Sequence, residues 1–304
     1  MTTIPEAGAS QPISGLAIVD KPAGWTSHQV VGRIRRLAGT RKVGHAGTLD
    51  PMATGVLIVG VEKATRLLGY LALSDKAYEA TIRLGIGTIT DDAEGEVMTT
   101  VGGAADLDDA EIEAAMARLR GDILQVPAAV SAIKIKGVRS YRRVRAGESV
   151  ELSERPVTIR RFDMLGRRDL EVDGLACVDL RVEVECSSGT YIRALARDLA
   201  TALGVGGHLT SLRRTRVGTF TLDEAQTLEE AEREVRIMPL DRVVLGSFPT
   251  VTVSETQAGL IRNGRRLPGV ILPDGSTALL DETGHFLALY RQEGPDAIAE
   301  AVFV

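Results

Sequence analysis

The sequence predicts an α+β fold with a mixed, largely antiparallel central sheet, followed by a small β-rich C-terminal domain. Three observations predict it. Strand-like and helix-like segments are interspersed without a regular βαβ repeat, which disfavours a doubly wound parallel sheet. Several apolar segments alternate with period two. Near "LGSFPTVTV" (Leu245–Val253) the texture changes to short strand-like pieces separated by turn residues.

The elements follow in chain order. Residues 1–14 have no basic start and no long apolar stretch, so they read as a flexible tail and not a signal peptide. A first domain over 15–246 opens with "LAIVDKPAGW", a strand ending in a turn. "SHQVVGRIRRLAG" reads as a helix with Ser27 as N-cap. Val30, Val31, Ile34 and Leu37 form its apolar stripe, and Gly39 stops it. A glycine-rich turn leads into the strand "VLIVGV". "YEATIRL" alternates, with Tyr78, Ala80, Ile82 and Leu84 on one face. "DLDDAEIEAAMARLRG" is a capped acidic helix closed by Gly121. "VDLRVEVEC" alternates cleanly, and "SSG" turns into the helix "TYIRALARDLATALG", with Ile192, Leu195, Ala196, Leu199 and Leu203 inward and Gly204 as its cap. The second domain, 247–304, takes its strands from "VILPDG", "STALLDETG" and "HFLALYRQEG".

The composition, 44% hydrophobic and 25% charged over 304 residues, suits a globular chain of two domains. No apolar run approaches the roughly 18 residues that span a bilayer. Cys177 and Cys186 could pair across strands, but nothing marks a secretory context. Reduced thiols and a cytoplasmic location are expected. The net charge of −5 argues against a nucleic-acid partner, yet its distribution argues for one. Lys21–Leu49 and Ile123–Gly147 contain no acid, and "KIKGVRSYRRVR" (Lys134–Arg145) carries six positive charges. "RRTR" (Arg213–Arg216) and "RNGRR" (Arg262–Arg266) follow, while Leu84–Ala117 holds nine acids and no Lys or Arg. Local basic patches, not total charge, decide whether a phosphate backbone can dock.

The chemistry available is narrow. His28, His45, His208 and His285 are widely spaced, and there is no CxxC, HExxH, P-loop or GxGxxG. No metal and no nucleotide cofactor is expected. Asp50 stands out, because Pro51 holds it out of a helix and Gly44, Gly47 and Gly55 let the backbone turn and a ligand approach. An Asx-turn would explain Asp50. So would a carboxylate acting at a sugar carbon, given a partner such as a buried Arg to keep it ionised.

Several ordered motifs carry a family resemblance. "GHAGTLDPMATGVLIVGVEKATRL" closely resembles the catalytic motif of the TruB family of tRNA pseudouridine synthases. "LAIVDKPAGWTS" is similar to that family's Lys-Pro motif and "DKAYEATIRLG" to its tyrosine motif. "VPAAVSAIKIKGVRSYRRVRAG" resembles its substrate-gripping insertion, about 124–152. "VECSSGTYIRALARDL" resembles its arginine motif and "HLTSLRRTRVG" its leucine-bearing segment, while "IRNGRRL" makes 247–304 resemble a PUA domain. The resemblance implies a pseudouridine synthase fold and isomerisation of uridine 55 in the TΨC stem-loop of tRNA, without a cofactor and by a monomeric chain. It implies Asp50, Tyr78 and Arg193 as catalytic residues: Arg193 pairing with Asp50, Tyr78 packing on the base. His45, Leu212, Lys21, Lys134, Arg142, Arg143 and Arg145 follow as substrate-binding residues. His45 lies near the flipped nucleotide, Leu212 against the base, and Lys21 supports the active-site loop. A non-catalytic RNA-binding or RNA-folding protein on the same scaffold would not need a carboxylate beside a phosphate-rich ligand. A glycosidase would need two flanking carboxylates, and the motifs supply only Asp50.

Overall fold

The computed structural model describes residues 13–99, 104–128, 134–135, 138–139 and 153–304. Arg142, Arg143 and Arg145 lie outside the described residues, as does most of the expected tail. Lys134 forms a two-residue strand, Lys134–Ile135, paired with Val138–Arg139.

The central sheet is built from β1 (Gly15–Lys21), β2 (Val43–Ala46), β3 (Thr54–Val61), β4 (Lys76–Leu84), β5 (Gly121–Gln125), β6 (Arg155–Val172), β7 (Leu175–Cys186) and β8 (Gly207–Val217). Its order is β1-β3-β8-β4-β7-β6-β5, with Met238–Pro239 outside β1 and β2 paired with the second half of β3, Ile58–Val61. Among the described strands of this sheet, only β3 and β8 pair in parallel; the other pairs are antiparallel. The sheet is therefore mixed and largely antiparallel, as expected. Gly55 sits at its one parallel crossing, with φ +102°, and a Cβ there would lie 2.2 Å from the Arg214 carbonyl oxygen. This glycine admits a neighbouring strand and not a ligand.

Both faces of the sheet are buried at β3, which is therefore apolar without interruption. Leu57, Val59 and Val61 join one core with the helices, while Val56 and Ile58 join a second core on the opposite face. The first core receives α1 (Ser27–Leu37), α2 (Asp109–Arg118) and α3 (Ile192–Ala202). The long β6–β7 hairpin turns at Asp173–Gly174, both at positive φ. That Asp-Gly pair suits a tight hairpin turn. Two bulges in β6 break its alternation, which hides this strand from periodicity.

Some boundaries differ from the sequence reading. The N-cap of α1 is Thr26, which forms a capping box with Gln29, and not Ser27. Ser27 is turned inward instead. The helix α2 ends at Arg118, and Gly121, at φ +82°, starts β5. Cys177 and Cys186 are both buried, unpaired, and on the same strand.

The C-terminal domain is a five-stranded sheet containing Thr250–Thr252, Thr277–Leu280, Phe286–Glu293, Asp296–Val302 and Leu267–Pro268. "VILPDG" forms no strand, because its prolyl and turn residues leave it irregular. A helix, Glu255–Arg262, capped by Ser254, was not expected there. Ala278, Leu280, Phe286 and Phe303 belong to the same core as Leu16, Ile18, Val56 and Ile58. Lys63 donates to the Phe303 carbonyl at 2.7 Å, and the Arg66 guanidinium lies over the Phe303 ring. The two lobes share one interior. Among the described residues, no helix is long and apolar enough to cross a membrane.

Candidate active site

Asp50 lies in the loop joining β2 to β3, and almost every residue of that loop is held. Arg214 donates from Nη2 to the Gly47 carbonyl at 3.0 Å and from Nε to the Val56 carbonyl at 2.8 Å. The Ser27 hydroxyl accepts from the Leu49 N–H at 2.9 Å and donates to the Leu49 carbonyl at 3.1 Å. The Pro51 carbonyl accepts from the Gly24 N–H at 2.8 Å and from Lys21 Nζ at 3.2 Å. A glycine-rich loop would otherwise sample many conformations. Here side chains from three other elements fix it.

Arg193 holds the carboxylate itself. Its Nε donates to Asp50 Oδ2 at 2.9 Å and its Nη2 to Oδ1 at 3.3 Å, a two-point fork. Nη1 donates to the Thr90 carbonyl at 2.9 Å and lies 3.6 Å from Asp92 Oδ2. Arg193 is buried, whereas the Asp50 side chain is 36% exposed. The cation sits in the first turn of α3, where the helix dipole opposes it. The two carboxylates and the carbonyl offset that cost. The fork leaves part of the Asp50 carboxylate open to a cavity of about 260 Å³.

Tyr78, Leu212, Lys76 and Arg214 line the same cavity with Asp50 and Arg193. The sheet register places them: Tyr78 of β4 is opposite Arg214 of β8, and Leu212 is opposite Ala80. Burial raises the Tyr78 phenol above its ordinary range, and nearby Arg214 only partly opposes this. The phenol therefore stays protonated at neutral pH. Burial likewise pulls the Lys76 ammonium down to about 8. The cavity joins one open carboxylate, one phenol proton and an apolar wall.

Lys21 is fully buried, and its ammonium donates to the carbonyls of Pro22, Trp25 and Pro51. Burial lowers it to about 8. It steadies the loop from behind and does not reach the cavity surface. His45 sits on β2, with its ring edge-on to His28 at 5.3 Å, outside the cavity lining. The "RRTR" segment is not a free basic patch. Arg213 grips Asp20 through two bonds, Arg216 pairs with Glu185, and Arg214 is 1% exposed. Sequence reasoning therefore misplaced Arg214. The usable signal was its i, i+2 relation to Leu212, which puts both on one face of a strand. Ser27 and the Thr90–Asp92 turn were also missed, since their partners are main-chain groups or lie far away in sequence.

The chain resembles known proteins over nearly its whole length. Residues 35–192 match the family described as TruB family pseudouridylate synthase, N-terminal domain. Residues 193–247 match the tRNA pseudouridylate synthase B C-terminal domain, and 248–304 the C terminus of tRNA pseudouridine synthase II. A Nocardia farcinica protein called tRNA pseudouridine synthase B is 58% identical, over 94% of this chain and 92% of that one. Proteins of that name from Paenarthrobacter aurescens (55%; 96% and 95%) and Streptomyces avermitilis (54%; 95% and 97%) are similar. A chain in a solved Cbf5-Nop10-Gar1 complex superposes with a TM-score of 0.69 at 27% identity, covering 95% of this chain and 85% of that one. One in an H/ACA RNP bound to a substrate RNA gives 0.67 at 26%, with the same coverage. Fold and site define a pseudouridine synthase, an isomerase. Within that class, the chain belongs to the TruB family.

Proposed function

We propose that this protein isomerises uridine 55 in the TΨC arm of tRNA to pseudouridine, with Asp50, Tyr78 and Arg193 as its catalytic residues. The observation that carries this reading is the half-exposed Asp50 carboxylate, gripped at two points by Arg193 at the mouth of a cavity walled by Tyr78 and Leu212. The reaction breaks the N1–C1′ bond, turns the base and joins C5 to C1′. The C5 proton is lost and N1 gains one, so nothing is oxidised or reduced. Asp50 acts at the ribose, as nucleophile at C1′ or in a glycal-forming elimination at C2′. Both roles need a carboxylate held in one direction, which the Arg193 fork supplies. Leu212 and Tyr78 pack on the extruded base, and the Tyr78 phenol is a proton carrier. Extruding the base costs a few kcal/mol, and His45 with His28 lies beside the loop where it would pass.

The insertion, with Lys134, Arg142, Arg143 and Arg145, and the β-rich 247–304 domain, read as PUA-like, dock the RNA backbone. The chain works as a cytoplasmic monomer. The test is to incubate purified protein with unmodified tRNA transcript and map pseudouridine. Modification at position 55, absent with Asp50→Asn, is expected. Modification elsewhere, or none, would overturn the proposal.

A further inference from the structure

The strand β5 inverts the usual rule for an edge strand. Asp122 and Leu124 are exposed, and its one buried side chain is the amide of Gln125, at 1% exposure. A buried amide needs partners, and Gln125 finds them on the main chain of Tyr191. Its Oε1 accepts from the Tyr191 N–H at 2.9 Å, and its Nε2 donates to the Tyr191 carbonyl at 3.1 Å. Tyr191 is the N-cap residue of α3. That helix begins with no capping side-chain bond and no acid in its first turn, and its second residue is the cation Arg193. Such an end is prone to fray. The same Tyr191 carbonyl accepts the first helical bond, from the Leu195 N–H at 3.0 Å. One turn further on, Arg197 donates to the Val126 carbonyl at 2.7 Å and pairs with Asp91 at 3.2 Å. The end of β5 is thus fastened to α3 on both sides of Arg193.

We infer that Gln125 is a positioning residue for the isomerisation: it caps α3 from another element and thereby fixes the direction of the guanidinium fork on Asp50. This rests on the function proposed above. Gln125 does not line the cavity, so its effect passes through Tyr191 and Arg193.

Two variants and one background test it. Gln125→Met keeps the length without the amide, and Gln125→Glu keeps the acceptor for the Tyr191 N–H but loses the donor. At saturating tRNA, the single-turnover rate is expected to fall about a hundredfold for Gln125→Met, with Gln125→Glu in between. The tRNA Kd should stay within about threefold, since the loss lies in the chemical step. In an Arg193→Met background, Gln125→Met should cost no more than about twofold, because the group it acts through is gone. Fully additive losses, a Kd that worsens as much as the rate, or an unchanged rate in folded Gln125→Glu protein would each overturn the inference. Wild-type protein that forms no pseudouridine at all would instead remove the function on which it rests.

Discussion

At Asp50, chemistry and support are separable. Asn is nearly isosteric and keeps the loop, but it cannot act as nucleophile or base. Asp50→Asn is expected to lower isomerisation by about 10³-fold or more while leaving tRNA binding largely intact, as single-turnover assays and filter binding would show. A loss of less than about tenfold would remove Asp50 from the chemistry. Arg193→Met removes both donors of the fork from the Asp50 carboxylate. The rate should fall about a hundredfold. Arg193→Lys should recover only part, because an ammonium restores charge without the fork. A wild-type rate in the Met variant would make Arg193 structural alone. Lys76 gives a pH dependence in stability. Its folded value is about 8 against 10.5 for the free side chain. Between these values the unfolded chain binds more protons, so the Lys76 contribution to stability rises with pH across that window and is lost as pH falls through 8. The unfolding midpoint of Lys76→Met should therefore rise less from pH 8 to pH 10 than that of wild type.

At the scale of elements, the insertion is the one segment whose role the sequence states more fully than the structure. Neutralising Arg142, Arg143 and Arg145 should weaken tRNA binding and flatten the slope of log K against log salt by about two to three, one for each phosphate no longer neutralised. An unchanged slope would move the docking surface elsewhere. Much of the site is legible in sequence for a related reason: Asp50, Tyr78, Arg193 and Leu212 each sit in a distinctive ordered motif, and all four line one cavity. Arg214, Ser27 and Gln125 are not legible. Each bonds main-chain groups of distant residues, and a carbonyl leaves no trace in the alphabet of side chains. The alternating strands β4 and β7 and the apolar run of β3 are read correctly as strands, whereas bulged β6 and the short β2 escape a rule that needs a sustained pattern.

At the scale of the whole molecule, the shared core means that the lobes should unfold together. Phe303 of the C-terminal domain packs on Phe286 and belongs to the core that holds Leu16 and Val56. Phe303→Ala is expected to cost about 3 kcal/mol. The single tryptophan, Trp25, lies in the other lobe, against the first core. Its fluorescence should report the same lowered transition as far-UV circular dichroism. A Trp25 transition that stays at the wild-type temperature would show that the lobes are independent.

The parallel pairing of β3 with β8 in the central sheet has a consequence for how the protein is made. Arg214 reaches back 158 residues to Val56, and Arg193 reaches 143 residues to Asp50. Contacts this far apart in sequence close late, because the long intervening chain must be ordered first. A nascent chain still lacking β8 has its aspartate, Ser27 and Lys21, but not the Arg214 side chain that ties Gly47 to Val56 across the loop. Ribosome-bound chains halted before and after β8 emerges should differ sharply in protease resistance of the Gly47–Pro51 loop, with protection arriving only in the longer one.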